Sequence, residues 1–419
     1  GAVMLDRRRF VRLRLAHNDL LEDFTALCRC LEAGGFVHRP DLHRTRFEAS
    51  RRRSPLGRCR DLEEALLPGP LRMVLAHCGD KNRAEMMVLR EACAGMRERI
   101  DAIQGQRLYV CGRVDAVSGD VLTNVERLDP QTGTWAAVPP MLRGRVGCAG
   151  GVLAGRLYVC GGYGEHGMTA ERYNPAWQRW EVVPPMGLRR YAPAAAVIGM
   201  RLYVCGGEDD AGNVHHSVER FNPRAANGRG TWEILPALMS TPRHSFAAAA
   251  LSGQEELLVV CGGTAVPICQ RHTGPVPHDS AEALDVSNGG TWRDLPLMRV
   301  PRLKHIAATL QGRVYACGGS LGDGRGLASA ERWDPEAEVW SALPPMGLER
   351  GEPAAAVVSG RLYVLGGVKW CPQGGEPAEP SVECFNPANS SWEAVPSLLQ
   401  GRQALCAGAV WAGIPALAA

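Results

Sequence analysis

One short pattern occurs six times between Arg107 and Gln403, and this repetition constrains the fold more than any other feature of the chain. In the clearest copy, residues 360–367 read GRLYVLGG and are followed by VECFNP at 382–387. Each copy has one equivalent glycine (Gly112, Gly161, Gly206, Gly262, Gly318 and Gly366) and one equivalent tryptophan (Trp135, Trp180, Trp232, Trp292, Trp340 and Trp392). Copies that recur every 45 to 60 residues must stack to bury their apolar faces. Units of this length with short strands are typical of β-propeller blades.

Each copy predicts four antiparallel strands. In the last copy, the small apolar residues 354–358 suit a crowded inner strand, and the β-rich residues 361–365 form a second strand that ends at a Gly-Gly pair. Residues 382–385 alternate before an Asn-Pro turn signal, which predicts a third strand. A fourth strand begins at Trp392, and we expect this large side chain to pack between neighbouring blades.

The chain also predicts how the array closes. Residues 402–411 match the inner strands of the other copies, whereas residues 97–103, before the first copy, have the pattern of a helix. We therefore expect the C-terminal segment to supply the inner strand of the first blade. Such closure leaves no open sheet edge and gives six blades.

The repeated motifs resemble the kelch repeat. They are the double glycine, the glutamate ahead of an aromatic or apolar residue and Asn/Asp-Pro, the spaced tryptophan and the Pro-Pro-Met element, and they recur in phase over about three quarters of the chain. The resemblance implies an all-β fold, a six-bladed kelch β-propeller closed by the C-terminal strand, with a small α-helical N-terminal module. The fourth copy departs from the pattern, because residues 258–260 lack the tyrosine and residues 284–287 lack the proline. We expect that blade to be less regular but present.

The first hundred residues differ from the repeats, with 20 Lys and Arg against 14 Asp and Glu. Residues 1–60 are predicted to be a basic segment of helical and irregular structure, residues 61–104 a helical module, and residues 105–419 the propeller. The short arginine runs of the basic segment are more often solvated linker than a nucleic-acid site, so nucleic acid is not an expected partner.

The helical module contains spaced apolar residues that resemble an F-box: Leu67, Leu71, Leu75 and Cys78. This resemblance implies that they dock on the linker subunit of an SCF ubiquitin ligase. The match is partial, because Gly69-Pro70 takes the place of the usual polar pair. A helical extension packed on the propeller is an equal alternative.

Composition favours an intracellular protein with reduced thiols. One repeat position, filled by Leu365 in the last copy, is a cysteine in the other five: Cys111, Cys160, Cys205, Cys261 and Cys317. A position that exchanges Cys for Leu is a small buried apolar site. No apolar run approaches the roughly 20 residues that span a bilayer, and no signal peptide is visible. The expected location is the cytoplasm, with the nucleus as a further candidate.

No catalytic, metal or cofactor site is predicted. Residues 162–167 fit G-x-G-x-x-G but lead into a strand, so they lack the helix N-terminus that would bind a phosphate. Cys269, His272 and His278 share one loop, but their irregular spacing is weak evidence for a metal. The chain is therefore expected to be a binding module and not an enzyme.

Four residues past the residue that closes each blade, all six copies have arginine: Arg145, Arg190, Arg243, Arg302, Arg350 and Arg402. This loop enters the next inner strand, so we expect it near the axis, on the same face as the loop between the second and third strands. In kelch substrate adaptors that face is the binding mouth. The resemblance implies that these arginines contact an acidic segment of a protein partner through bidentate hydrogen bonds. The neighbouring Tyr191, His244 and His305 complete the predicted partner-binding set.

The alternative is that this arginine is a structural residue of the repeat and bonds loop carbonyls in every blade. A perfect six-fold repeat favours that alternative, because a recognition site rarely needs such symmetry. Both roles can hold for different blades.

The favoured function is a protein-interaction adaptor, as in F-box/kelch and BTB-kelch proteins, that recognises substrates for an SCF or other cullin-type ubiquitin ligase. One alternative is a kelch scaffold or actin-associated cytoskeletal protein without a ligase function. Another, from a different class, is a propeller enzyme such as a sugar epimerase or oxidase. The sequence does not name the partner, because binding loops vary freely on one scaffold.

Overall fold

The computed structural model describes residues 106–112, 120–175, 177–253, 255–267, 274–287, 290–323, 325–368, 378–402 and 406–411. The predictions for residues 1–60 and 61–104, including Leu67, Leu71, Leu75 and Cys78, lie outside these ranges, and so do Cys269 and His272.

Twenty-four strands form six antiparallel four-stranded sheets, and each sheet is one blade. Blade 1 contains β1 (Gln106–Cys111), β2 (Val125–Asp129) and β3 (Thr134–Val138), and blade 2 contains β4 (Ala149–Leu153), β5 (Arg156–Cys160), β6 (Ala170–Asn174) and β7 (Arg179–Val183). Blade 3 contains β8 (Ala194–Ile198), β9 (Arg201–Cys205), β10 (Val218–Asn222) and β11 (Thr231–Ile234), and blade 4 contains β12 (Ala247–Ser252), β13 (Glu256–Cys261), β14 (Ala281–Asp285) and β15 (Trp292–Leu295). Blade 5 contains β16 (Ile306–Leu310), β17 (Arg313–Cys317), β18 (Ala330–Asp334) and β19 (Val339–Leu343), and blade 6 contains β20 (Ala354–Val358), β21 (Arg361–Leu365), β22 (Val382–Asn386) and β23 (Ser391–Val395). Two short 3₁₀ turns, Gly164–His166 and Ala226–Gly228, interrupt the loops.

The C-terminal strand completes the first blade, as predicted. Strand β24 (Cys406–Trp411) pairs antiparallel with β1, and Cys406 lies directly opposite Cys111. The first sheet therefore has the order β24-β1-β2-β3, with its inner and outer strands from opposite ends of the propeller sequence. This arrangement closes the ring because both blades that flank blade 1 then meet a complete sheet.

The repeat tryptophans join neighbouring blades, which confirms their predicted packing role. Trp180 of blade 2 donates from its indole nitrogen to the Pro139 carbonyl of blade 1 at 3.0 Å. The other five make the equivalent bond: Trp135 to Pro396, Trp232 to Pro184, Trp292 to Ala237, Trp340 to Pro296 and Trp392 to Pro344. Each blade boundary is thus held by an apolar contact and by one directional hydrogen bond.

Apolar side chains fill the boundaries between blades, and the second strand of each blade is the most deeply buried. The repeat cysteines at the ends of these strands are fully buried, as is Leu365. Burial raises the pKa of the Cys205 thiol to about 12, so this thiol is neutral and behaves as a small apolar group. The prediction of a buried apolar position is confirmed.

Blade 4 is a complete four-stranded sheet although its sequence departs most from the repeat. Val259 stands where the other five copies have a tyrosine, and Leu284 stands where four of them have an aromatic residue. Both side chains are buried. The blade keeps its Gly-Gly pair at 262–263 and Trp292, which are the residues that turn the chain and contact the preceding blade. No helix of the described residues is long and apolar enough to cross a membrane.

Candidate functional site

Two sets of loops form one face of the propeller, and Arg190 shows how they are joined. Its Nε donates to Glu219 Oε1 at 3.0 Å, and its Nη1 donates to the carbonyl oxygens of Gly206 at 2.6 Å and Ser217 at 3.2 Å. Its Nη2 donates to the Ser217 hydroxyl at 2.9 Å. Gly206 and Ser217 lie at the two ends of the loop between the second and third strands. The arginine of the entering loop therefore fastens that second loop to the same face.

We call this surface the loop face. It comprises the described residues between second and third strands (120–124, 161–169, 206–217, 262–267, 274–280, 318–323, 325–329, 366–368 and 378–381) and those that enter inner strands (139–148, 184–193, 235–246, 296–305, 344–353 and 396–402).

The same buried ion pair occurs in all six blades, with N–O distances between 2.6 and 3.1 Å. The pairs are Arg145–Glu171, Arg190–Glu219, Arg243–Glu282, Arg302–Glu331, Arg350–Glu383 and Arg402–Glu126. We call these twelve residues the Arg–Glu lattice. The arginines are at most 2% exposed, so the prediction that some guanidinium groups are open to solvent is wrong. Each charge is buried because a glutamate and loop carbonyls compensate it.

The structure thus supports the alternative, in which the arginine is a structural residue of the repeat. For these arginines to contact an acidic partner, a buried guanidinium group would have to leave its carboxylate. Partner contact by the six arginines stays a prediction, and the accessible surface of the loop face is built by other residues.

The glutamates of the lattice are residues whose role sequence reasoning missed. Each glutamate is the second residue of a third strand and also accepts a backbone N–H from the entering loop, as Glu171 does from Leu142 at 2.7 Å. The signal was present in the sequence, because a glutamate recurs in phase in every copy, as the arginine does. Two opposite charges that recur together in every repeat are typical of a structural pair.

The ion pair also reinforces the ring closure. Arg402 precedes the closing strand and donates to Glu126 of blade 1 at 2.6 Å and to the Asn124 carbonyl at 3.0 Å. Asn124 stands where blades 2 to 6 have a serine or threonine hydroxyl, and its side-chain oxygen is buried without a hydrogen-bond partner. At this boundary the Arg402–Glu126 ion pair is present, but the hydrogen bond from the arginine to a Ser or Thr hydroxyl, which the other blades have, is missing.

His244 lies inside the loop face and not on its surface. His244 is 4% exposed, and its Nε2 donates to the Val266 carbonyl at 2.8 Å. Glu208 is 3.7 Å from the same nitrogen and is also buried. Partner contact by His244 stays a prediction, and it would require the ring to leave the loop contacts that it makes here.

His305 is a core histidine. Phe246 occupies its repeat position in blade 4 and Pro353 occupies it in blade 6, so the site is apolar in the neighbouring copies. Burial, together with the nearby positive charges of Arg302 and Arg243, lowers the pKa of His305 to about 3. The ring is neutral near pH 7 and only 6% exposed, so partner contact by His305 stays a prediction that would require the ring to leave the core.

Tyr191 is the predicted site residue that remains accessible. It is partly exposed, and its ring meets the ring of Tyr163 edge-on with centroids 5.5 Å apart. Tyr163 follows the Gly-Gly pair of blade 2 and is 69% exposed. Sequence reasoning missed Tyr163, because the equivalent positions in the other copies do not share its side chain.

A ring of backbone hydrogen bonds lies at the inner edge of the loop face. Its members stand two residues past a lattice arginine and are Gly147, Ala192, Ser245, Lys304 and Glu352. Their φ angles are between 49° and 61°, which is an uncommon backbone conformation for residues other than glycine. From the second member onward, each N–H donates to the carbonyl of the preceding member at 2.6 to 3.0 Å. These bonds link blades 2 to 6 in sequence and fix the backbone near the axis.

The side chains around this ring differ from blade to blade. Lys304 and Glu352 form a half-buried ion pair between blades 5 and 6. Toward the outside of the loop face, large apolar side chains that are 40% to 69% exposed come from several blades: Val121, Leu142, Tyr163, Leu238, Val276, Leu297, Leu321 and Leu399. Exposed apolar side chains thus lie among the loops of this face, and exposed apolar surface is typical of protein-binding sites.

The family model for the Kelch motif matches residues 102–142, 144–187, 189–239, 301–347 and 349–399, which together exceed half of the chain. The matches correspond to blades 1, 2, 3, 5 and 6, and the unmatched segment 240–300 contains blade 4. The structure therefore shows a sixth blade where the sequence has diverged from the motif.

The chain is also similar to individual Kelch-like and F-box/kelch proteins. It is 33% identical to human (Homo sapiens) Kelch-like protein 33 over 126 residues, which is 30% of this chain and 20% of that protein. It is 30% identical to the F-box/kelch-repeat protein SKIP30 of Arabidopsis thaliana over 110 residues, which is 26% of this chain and 31% of that protein. It is 35% identical to Kelch-like ECH-associated protein 1B of Danio rerio over 107 residues, which is 25% of this chain and 16% of that protein. The matches thus span less than a third of each relative.

Proposed function

The chain belongs to the kelch-repeat family, and from this premise we propose that it is a protein-interaction adaptor that binds a partner protein on its loop face. The observation that carries the proposal is the concentration of exposed apolar side chains on this face, with Tyr163 at 69% exposure. The Arg–Glu lattice beneath holds the loops in place, so the variable residues stand on a rigid support.

The relatives support binding over catalysis. The matched proteins are Kelch-like and F-box/kelch proteins, and this similarity supports a binding module over an enzyme. We therefore give no weight to the propeller-enzyme alternative and retain the kelch scaffold without a ligase function as the second candidate.

We further propose that the bound protein is a substrate for a cullin-type ubiquitin ligase. Support comes from the F-box/kelch relative and from the F-box-like spacing of Leu67, Leu71, Leu75 and Cys78. In this proposal those four residues dock on the SCF linker subunit while the loop face holds the substrate.

An acidic segment in the partner stays a prediction. The six lattice arginines are neutralised by their glutamates, so the exposed cations of the loop face are the groups that such a segment would meet. Arg143 lies at the surface beside His166, and Arg189 is 40% exposed in its side chain and pairs with Asp210 at 2.9 Å. Arg189 lies near Tyr163, because it also donates to the carbonyl of the next residue, Gly164, at 3.0 Å.

Affinity capture followed by mass spectrometry tests the binding proposal. The full chain should enrich a defined protein set that the variant Tyr163→Ala loses at least in part. The matched control is Trp177→Ala, which removes an aromatic side chain that is 52% exposed on the opposite face. An unchanged set with Tyr163→Ala, or equal losses with both variants, contradicts binding on the loop face.

Co-purification with the SCF linker subunit tests the ligase proposal separately. The double variant Leu71→Asp, Leu75→Asp should lose the linker subunit and keep the partners captured by the loop face. If wild-type chain fails to bind the linker subunit while it still captures partners, the scaffold alternative stands.

A further inference from the structure

A second repeat position, on the third strand, has an arginine in four of the six blades: Arg127, Arg172, Arg220 and Arg332. Each lies directly opposite a tyrosine of the second strand: Tyr109, Tyr158, Tyr203 and Tyr315. Directly opposed residues of neighbouring strands point to the same face of a sheet. These arginines therefore face the next blade, because the Tyr158 ring contacts Phe221 of blade 3 with centroids 5.7 Å apart.

In blades 2 and 3 a glutamate on the fourth strand forms an ion pair with this arginine. Arg172 pairs with Glu181 at 2.9 Å, and Arg220 pairs with Glu233 at 2.7 Å. The glutamates are the cross-strand neighbours of the arginines in the register. Two blades thus show that the geometry of this position accepts a carboxylate beside the guanidinium group.

In blade 5 the arginine is present but its glutamate is missing. The cross-strand neighbour of Arg332 is Ser341, whose side chain is too short to supply a carboxylate. Within the part of the chain that the structure describes, Arg332 makes no hydrogen bond or ion pair, and its Nε is buried without an acceptor. Asp334 does not replace the glutamate, because it is held by Arg313 at 2.7 Å. The guanidinium group keeps donors that the repeat normally satisfies.

Blade 1 shows a weaker form of the same change. Ala136 is the cross-strand neighbour of Arg127, whose Nε is also buried without an acceptor. Arg127 nevertheless has a hydrogen bond with the Tyr109 hydroxyl, so its donors are partly used. Arg332 therefore has more hydrogen-bond donors without an acceptor than Arg127 has.

Aromatic rings lie at the boundary between blades 5 and 6, next to Arg332, whose cross-strand neighbour is Tyr315. The Tyr315 and Phe385 rings lie 5.8 Å apart across this boundary, and Phe385 contacts Trp392 at 5.1 Å. Arg332, Ser341 and Trp392 are each partly exposed. We call these residues the Arg332 site, which combines aromatic rings with a cation that lacks its carboxylate.

We propose that the Arg332 site binds a carboxylate side chain of a protein partner, which occupies the place that Glu181 and Glu233 occupy in blades 2 and 3. An Asp or Glu side chain would accept from Nε and one Nη of Arg332 in the bidentate geometry that guanidinium groups favour. The satisfied donors would remove the cost of leaving a buried N–H without an acceptor. The site lies on the side of the propeller, and its test does not depend on the loop face or on a ligase link.

Arginine side-chain NMR of the full chain tests this site. The probe is N-acetyl-glutamate amide as its sodium salt, and the neutral control is N-acetyl-glutamine amide in sodium chloride of matched ionic strength. The Nε–Hε signal of Arg332, assigned by its loss in Arg332→Lys, should shift in a concentration-dependent manner with the acidic probe and not with the neutral one.

Two variants show whether the shift reports the unfilled repeat position. Ser341→Glu supplies the missing carboxylate from the chain itself, so it should abolish the response and raise the Tm by on the order of 1–3 °C relative to Ser341→Gln. Ser341→Gln should respond to the acidic probe as the wild type does. The proposal is overturned if both probes shift the signal equally, if neither does, or if Ser341→Glu responds like Ser341→Gln.

Discussion

The Arg–Glu lattice and the variable residues of the loop face lie within a few residues of each other and follow opposite rules. At the lattice positions all six blades have the same two charges, and the arginines are at most 2% exposed. One residue after the six lattice arginines the chain has Val146, Tyr191, His244, Leu303, Gly351 and Gln403, with no common chemistry. Perfect repetition marks the residues that build the face. The residues that can distinguish partners are those that vary between blades and are also exposed, such as Tyr163, because His244 and Leu303 vary but are buried.

This contrast explains why six identical arginines were a poor guide to a binding site. A guanidinium group suits both the recognition of a carboxylate partner and the fastening of a loop to its own blade. In this fold the glutamate of the same repeat meets the arginine first. The residues with the best case for recognition, such as Tyr163, are those that occur in a single blade.

The largest effect that can test the structural side of the comparison is removal of residues 402–419. The deletion takes away Arg402 and the whole of β24, so β1 would become an exposed edge and Glu126 would lose its buried partner. We expect aggregation or loss of the cooperative unfolding transition, measured by light scattering and by thermal denaturation. A truncated chain that melts like the full-length protein would show that the closing strand does not hold the ring.

The second prediction compares the loss of stability on replacing a lattice arginine with the loss on replacing the exposed arginine next to it. Arg190→Ala leaves Glu219 buried without its partner and should lower the free energy of unfolding by about 3–5 kcal/mol. Arg189→Ala is the matched control, because its pair with Asp210 is exposed and should contribute about 0–1 kcal/mol. Urea denaturation of both variants measures the difference. Equal losses would mean that burial does not distinguish the two arginines.

The sequence predicted the symmetric part of the molecule better than the asymmetric part. Gly366, Trp392 and the inner-strand pattern of residues 402–411 recur in phase, so blade number and closure followed from them. The burial of the arginines did not follow, because Arg190 and Glu219 are 29 residues apart and meet only when two loops and a strand are assembled. The exposure of Tyr163 was missed for a further reason, since a residue that occurs in one copy leaves no periodic signal.

A third prediction concerns His305, a variable residue that lies in the core. Its pKa is lowered to about 3 chiefly by burial, which is below the usual value of about 6.5, so the unfolded chain binds a proton more readily. The free energy of unfolding should therefore fall as the pH is lowered from about 6.5 toward 3, by at most about 1.4 kcal/mol per pH unit from this group.

The variant His305→Phe isolates this contribution, because phenylalanine occupies the equivalent position in blade 4 as Phe246. Burial also lowers the pKa of His215 and His278, but both remain in the variant and cancel in the comparison. Urea denaturation at pH 7.5 and pH 5 should show a smaller loss for His305→Phe than for the wild type. The same loss in both proteins would rule out His305 as the titrating group.

The smallest effect compares ion pair with ion pair. The side chains of Lys304 and Glu352, at the inner edge of the loop face, are 32% and 21% exposed. Those of Arg190 and Glu219 are fully buried. Water and salt screen the half-exposed pair, so a double-mutant cycle with Lys304→Ala and Glu352→Ala should give a coupling energy of about 0.2–1 kcal/mol that declines at high salt. The same cycle on Arg190 and Glu219 should give a larger coupling that salt changes little, because salt screens buried charges weakly. A strong, salt-insensitive coupling between Lys304 and Glu352 would show that this pair is structural, as the Arg–Glu lattice is. The residues available for partner recognition would then lie farther from the axis.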